Sequence, residues 1–219
     1  MNVRALLITG AVTAGLALAG CTNNPSRKAT ALTVGKQILQ PGGKKDTSET
    51  YVQRVSREAA TALENTDLPV GTVLLPARDT GAVLVRIETN GPYGTWGTGD
   101  RSSITMRDGM ITATRGLGDD LMSSDIDGVL SLVAQRSEGT AERVQRFLDG
   151  ENKIYEVRTR CRISVQGSAT RGPTMVREAC RGDDVAFENR YAVNAAGQIV
   201  ESKQWINARN GHAVVKRLR

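Results

Sequence analysis

Hydrophobic positions in this chain change period near residue 70. Between residues 51 and 66, Val52, Val55, Ala59, Ala62 and Leu63 recur three to four residues apart with arginine and glutamate between them. That spacing predicts an amphipathic helix ending before Asp67-Leu68-Pro69. Beyond it the period is two. Val83, Val85 and Ile87 fall on one side of a strand whose other side carries Arg86 and Glu88, and Thr89-Asn90-Gly91-Pro92 ends it. Asp108-Gly109 predicts a two-residue hairpin turn that sets Met106 opposite Ile111 and Ile104 opposite Ala113 on an apolar face. Ser103, Thr105, Thr112 and Thr114 fall on the other face. Residues 128–148 fit either a helix carrying Val144, Phe147 and Leu148 or a strand starting near Arg146. From 154 to 165, Tyr155, Val157, Cys161, Ile163 and Val165 alternate with Glu156, Arg158, Arg160 and Arg162. Val185, Phe187, Tyr191 and Val193 then share a face, with Glu188 and Arg190 opposite, and turns at 194–197 and 208–211 lead into two last strands. Successive strands with short turns predict a mainly β domain built as an antiparallel meander.

The N-terminus follows neither period. One charged residue, Arg4, precedes an apolar run from Ala5 to Ala19 that ends in Leu18-Ala19-Gly20-Cys21. The run is short for a membrane span and has the small-residue end of a secretory leader. Small residues leading directly into cysteine resemble the lipobox of bacterial lipoproteins. The resemblance implies cleavage after residue 20 and acylation of Cys21, with several acyl chains giving a stable anchor. The expected organisation is a leader at 1–20, a lipidated N-terminus and polar tether at 21–50, and a single β-rich domain at 51–219. A short apolar docking piece at Leu32–Leu39 lies within the tether. Thr22, in the place where aspartate marks inner-membrane retention in similar lipoproteins, favours the outer membrane, facing the periplasm.

Composition narrows the partners. The formal charge of +6 includes Arg4, so the chain after residue 20 carries +5. Mild basicity in an exported protein suits acidic partners such as lipopolysaccharide, phospholipid head groups or an anionic polysaccharide, and nucleic acid is excluded by compartment. With Cys21 acylated, Cys161 and Cys180 remain, an even pair that reads as a disulfide. A turn centred near residues 170–171 sets them opposite each other on neighbouring strands and also sets Arg160 against Arg181, a like-charge pair that calls for a bulge or a bound anion. One histidine, His212, offers nothing for a histidine triad or multi-histidine metal site. Asp119, Asp120, Asp125 and Asp127 suggest a calcium loop, yet the twelfth position from Asp125 is Arg136, where an EF-hand needs glutamate. No metal and no cofactor is expected.

Ser103-Ile104-Thr105, Asp108-Gly109 and Thr114-Arg115-Gly116-Leu117-Gly118-Asp119-Asp120-Leu121 resemble the signature of the YjbF/GfcB family of lipoproteins, associated with exopolysaccharide and group 4 capsule export. Arg146-Phe147-Leu148-Asp149, the Cys161/Cys180 pair with Glu178, Phe187 to Tyr191, and Gly197 followed by Ser202 to Ile206 occur in the family's order. The resemblance implies a meander bent into a half-barrel similar to lipoprotein carrier folds, and no catalytic residues. Three roles follow: a non-catalytic binding or scaffold module in polysaccharide secretion or assembly, working with the polysaccharide or its export machinery; a carrier holding a lipid, acyl chain or lipid-linked saccharide in its concave face; and a glycan-cleaving enzyme using Asp119 and Asp120, which needs a loop to bring adjacent carboxylates together. The first is the expectation, and the protein is not expected to be an enzyme. Candidate binding residues are Arg115 with the loop Gly116, Leu117, Gly118 and Asp119; Trp96 and Trp205 as sugar platforms or core; and Arg158, Arg160, Arg162 and Arg190 as a stripe for an anionic polymer or a solvated face. Arg115 pairing with Asp119 is expected to hold the loop.

Overall fold

A computed structural model describes residues 49–149, 151, 153–168 and 172–219. The leader, Cys21 and the apolar piece at 32–39 lie outside the described residues, as does the predicted turn centre at 170–171. Helix α1 (Tyr51–Asn65) begins with a capping box, in which Thr50 and Gln53 satisfy each other's backbone N–H groups. It buries Val55, Ala59 and Ala62, while Val52, counted above in its apolar stripe, is exposed. Twelve strands follow: β1 (Val70–Leu75), β2 (Thr80–Asn90), β3 (Tyr93–Gly97), β4 (Ser103–Arg107), β5 (Met110–Arg115), β6 (Leu121–Asp125), β7 (Gly139–Leu148), β8 (Ile154–Ser168), β9 (Thr174–Arg181), β10 (Ala186–Val193), β11 (Ile199–Asn207) and β12 (Gly211–Arg217). Helix α2 (Asp127–Gln135) separates β6 from β7, so the ambiguous stretch holds both a helix and a strand, and Val144 and Phe147 belong to the strand.

All twelve strands form one antiparallel sheet in the order β5-β4-β3-β2-β1-β12-β11-β10-β9-β8-β7-β6. The first strand pairs with the last, so the two outer edges belong to β5 and β6, neighbours in sequence. The sheet curls until these edges meet, and the expected half-barrel is nearly a closed barrel. Side chains bridge the seam where a backbone ladder is missing. Leu121 N–H donates to Thr114 Oγ1 (3.0 Å) and Arg115 Nη1 to Leu121 O (3.0 Å). At the far end of β5, Gln204 of β11 accepts from Ile111 N and donates to Gly109 O, both at 2.9 Å.

The Asp108-Gly109 turn has positive φ at both residues, and Met106 pairs with Ile111 as predicted. Past that point the prediction fails. A bulge at Thr112, whose hydroxyl bonds Thr105 O, shifts the register, so Ile104 pairs with Thr114 and Ala113 with Thr105. Thr114 therefore turns into the core instead of sharing a hydroxylated outer face. On β2, Val83 packs with Val70 under α1, on the outer face, while Leu84 and Arg86 look inward. The apolar side read from the alternation is the one the helix covers, and a register shift between Arg86 and Glu88 leaves Ile87 exposed.

One end of the barrel is sealed by the β5–β6 loop packed on the β11–β12 turn. The other is plugged over the C-terminal half by α2, whose Val129 and Val133 sit among Cys161, Cys180, Phe187 and Tyr191. Among the described residues no helix is long and apolar enough to cross a membrane.

Candidate functional site

Most of the interior is filled. Two apolar clusters occupy it, and half-buried Trp205 joins them, stacked on Phe187 at 4.7 Å and edge-on to Phe147 at 5.8 Å. Between strands β7, β9 and β10 lies a buried ion network. Arg143 grips Glu178 with two bonds, Nε to Oε1 at 2.9 Å and Nη2 to Oε2 at 3.1 Å. Tyr191 OH and Asn189 Nδ2 donate to the same carboxylate at 2.6 and 2.8 Å. Burial and then the Glu178 charge push the Tyr191 phenol well above its ordinary range, so it stays a donor. Burial pulls the Arg143 guanidinium down, but the Glu178 and Tyr191 interactions outweigh it and hold it raised. Nothing in the sequence pattern marked Arg143, since it reads there as one more charged residue in an ambiguous segment.

Cys161 and Cys180 face each other in register and form a disulfide. Together with Glu178 they form the one cluster of possible metal ligands among the described residues. Its sulfurs are bonded to each other and its carboxylate is engaged by Arg143.

The Arg115 to Asp120 loop is a structural clasp. Positive φ at Gly116, Gly118 and Asp119 coils it around the Asp120 carboxylate, which accepts from Gly116 N (2.7 Å), Leu117 N (3.1 Å) and Thr114 Oγ1 (3.0 Å). The expected Arg115–Asp119 pair does not form. Arg115 donates to the backbone of Thr114 and Leu121, and Asp119 pairs with Arg209 at 3.1 Å. The β11–β12 turn supplies the other half of the clasp. Buried Asn207 and Asn210 donate to the carbonyls of Leu117, Gly118 and Asp119, and Arg78 reaches Leu117 O. The two aspartates thus point to different partners and leave no paired carboxylates for acid–base work.

Trp96 is buried within the second cluster beside Ile104 and Met106. Trp205 has one ring face on Phe187 and donates its backbone N–H to Asn189 Oδ1. Both rings pack against the core clusters.

The outer face of β8, β9 and β10 is different. Arg158, Arg160 and Arg162 of β8, Arg177 and Arg181 of β9 and Arg190 of β10 stand on it, away from the core. Glu188 holds two of them, with Arg177 at 2.6 Å and Arg190 at 2.9 Å, and these bonds lower its carboxyl to about 2. Arg158 is paired with Glu142 and Glu156. Arg160 lies directly across from Arg181 with no bulge between them, and Arg162 pairs with Ala179 in the next row. Among the described residues Arg160, Arg162 and Arg181 form no ion pair; Glu142, across from Arg160 on β7, is taken by Arg158. The disulfide one residue away pins this register, so the like charges are held together. Small Ala179 and Ala186 leave a shallow open depression beside Arg177 and Arg181.

The comparisons agree with this architecture. A search of curated proteins finds no match. Among solved structures, the chain is similar to the hypothetical lipoprotein YmcC from Escherichia coli K12. The TM-score is 0.64, over 78% of this chain and 97% of that one, at 15% identity, a likeness of fold. Residues 45–218 match the family described as group 4 capsule polysaccharide lipoprotein gfcB, YjbF. Among the described residues that span takes in the two helices, the twelve strands, the clasp and the disulfide, and the chain belongs to this family of capsule polysaccharide lipoproteins.

Proposed function

We propose that the protein is an outer-membrane-anchored, periplasm-facing lipoprotein that acts as a non-catalytic binding module in exopolysaccharide or capsule secretion, holding an acidic polymer on the outer face of β8 to β10. The observation that carries the reading is the register of Arg160 against Arg181, with Arg162 alongside and none of the three in an ion pair, since Glu142, the ladder neighbour of Arg160 on β7, is engaged by Arg158. Directly opposed like charges cost free energy in the empty protein, and an anion lying across them relieves it with charge-assisted bonds. Membership in the capsule polysaccharide lipoprotein family supports a polysaccharide as the polymer, and its acidic character is read from the arginines. The carrier alternative needs a lumen for an acyl chain. The barrel axis is instead occupied by the Arg143–Glu178 network and two apolar clusters.

The test is complementation of a deletion strain. Arg160→Glu with Arg162→Glu and Arg181→Glu should leave a folded, membrane-associated protein that fails to restore surface polysaccharide, whereas wild type restores it. Unchanged surface polysaccharide in the deletion strain would overturn the export role, and full rescue by the triple variant would overturn the arginine face.

A further inference from the structure

At the end of the barrel opposite the clasp, α2 covers only the C-terminal half. The other half opens as a cavity of about 150 Å³ between the β2–β3, β4–β5 and β10–β11 turns. Its lining residues include two arginines, half-buried Arg86 of β2 and exposed Arg217 of β12. Among the described residues neither has an ion-pair or side-chain hydrogen-bond partner. Arg86 lies on the inward face, opposite Trp96 in the ladder. Gly94 allows the two to close up, since a Cβ there would lie 3.2 Å from Trp96 Nε1 and 3.3 Å from Arg86 Cδ. The indole N–H, likewise without a protein partner, is a donor at the same wall. Ser202, buried and lining the cavity, accepts from Gln204 Nε2 through its Oγ and keeps its own proton to donate. Asp108 at the rim is an acceptor, Glu201 is taken by Lys216 at 3.4 Å, and Leu84 and Val215 form an apolar wall.

Two arginines without counter-charges in one lining call for a carboxylate or phosphate. An additional neutral donor, a rim acceptor and an apolar wall call for a ligand that also carries hydroxyls and a C–H face. The volume is below the roughly 300 Å³ at which drug-sized ligand pockets begin, which suits one ring and not a chain. We propose that this cavity binds a single hexuronate residue, the carboxylate between Arg86 and Arg217 and the ring against Leu84 and Val215. The choice of a sugar acid rests on the polysaccharide reading above. The site itself is separate from the arginine face, on the inner side of other strands.

The chain contains two tryptophans, so its indole N–H groups give two NMR signals, of which only Trp96 lines the cavity. The full-length lipoprotein in detergent is titrated with glucuronate, glucose and inorganic phosphate. Glucuronate should shift the Trp96 signal saturably and leave Trp205 in place. Arg86→Gln and Arg217→Gln should each weaken binding about tenfold or more, equivalent to about 1.4 kcal/mol, with the melting temperature unchanged. Arg160→Glu should have no effect. An unmoved Trp96 signal, equal affinity for glucose, or equal affinity for phosphate would each overturn the proposal. If the arginine variants unfold, Gly94→Val, which narrows the same wall, must abolish the shift or the proposal fails. Binding in this assay is independent of the export phenotype, so failure here is distinct from failure of complementation.

Discussion

Glu178 shows how one buried side chain organises its surroundings. Its carboxylate receives two bonds from Arg143, one from Tyr191 and one from Asn189, so every charge in this part of the core is paired. Glu178→Gln keeps the shape and removes the negative charge, leaving buried Arg143 uncompensated. Urea denaturation should show a loss of about 3–5 kcal/mol. Glu188, on the outer face, carries a pH signature. The Arg177 bond, then the Arg190 bond, lowers its carboxyl from 4.5 to about 2. A folded-state value below the unfolded one means the contribution to stability is complete above the ordinary carboxylate range and lost as pH falls through the folded value. Carboxyl-carbon NMR should therefore give Glu188 a midpoint near 2, rising toward the ordinary range in Arg177→Ala. The stability difference between wild type and Glu188→Gln should shrink only as the pH drops below the ordinary carboxylate range.

Among the elements, the β5–β6 loop is the one whose role changes most between pattern and structure. Glycines and adjacent aspartates read as a candidate binding loop. In the folded chain Asp120 accepts two backbone N–H groups and a hydroxyl, while Asn207, Asn210 and Arg78 take the outward carbonyls. Its task is to turn the chain from one sheet edge to the other and bring the edges together. Asp120→Ala should raise the hydrogen-exchange rates of the Gly116 and Leu117 amides and cost about 1.5–3 kcal/mol, the usual loss when hydrogen bonds to a charged group are removed. Arg115→Ala removes bonds made only to backbone carbonyls at the seam and should cost less. A loop that served mainly to bind a partner would show the reverse order in an export assay, with Arg115 the sensitive position.

For the whole molecule, the path of the chain sets the orientation of both candidate surfaces. Arg54 donates to Gly81 O, which puts the start of α1 beside the start of β2, at the clasped end of the barrel. The described chain thus enters at the sealed end, and the cavity with Arg86 and Arg217 opens at the other. If Cys21 carries the anchor, labelled palmitate should enter the mature protein and Cys21→Ser should leave the outer-membrane fraction. A Cys21→Ser form that still fractionates with the outer membrane would remove the anchor from the reading.

Local pattern alone determined the strand periodicity, the Asp108-Gly109 hairpin, the facing cysteines, and the opposition of Arg160 and Arg181. Each depends only on side-chain alternation and turn length, which are short-range. Tertiary structure decided the rest. The covering of the Val83 face by α1, the burial of Arg143 against Glu178 and the capture of Asp119 by Arg209 depend on partners distant in sequence, and the Thr112 bulge that turns Thr114 inward, though local to its hairpin, leaves no mark in the alternation. A charged residue reads the same in sequence whether it meets water or a buried counter-charge, and only closure of the sheet makes that choice.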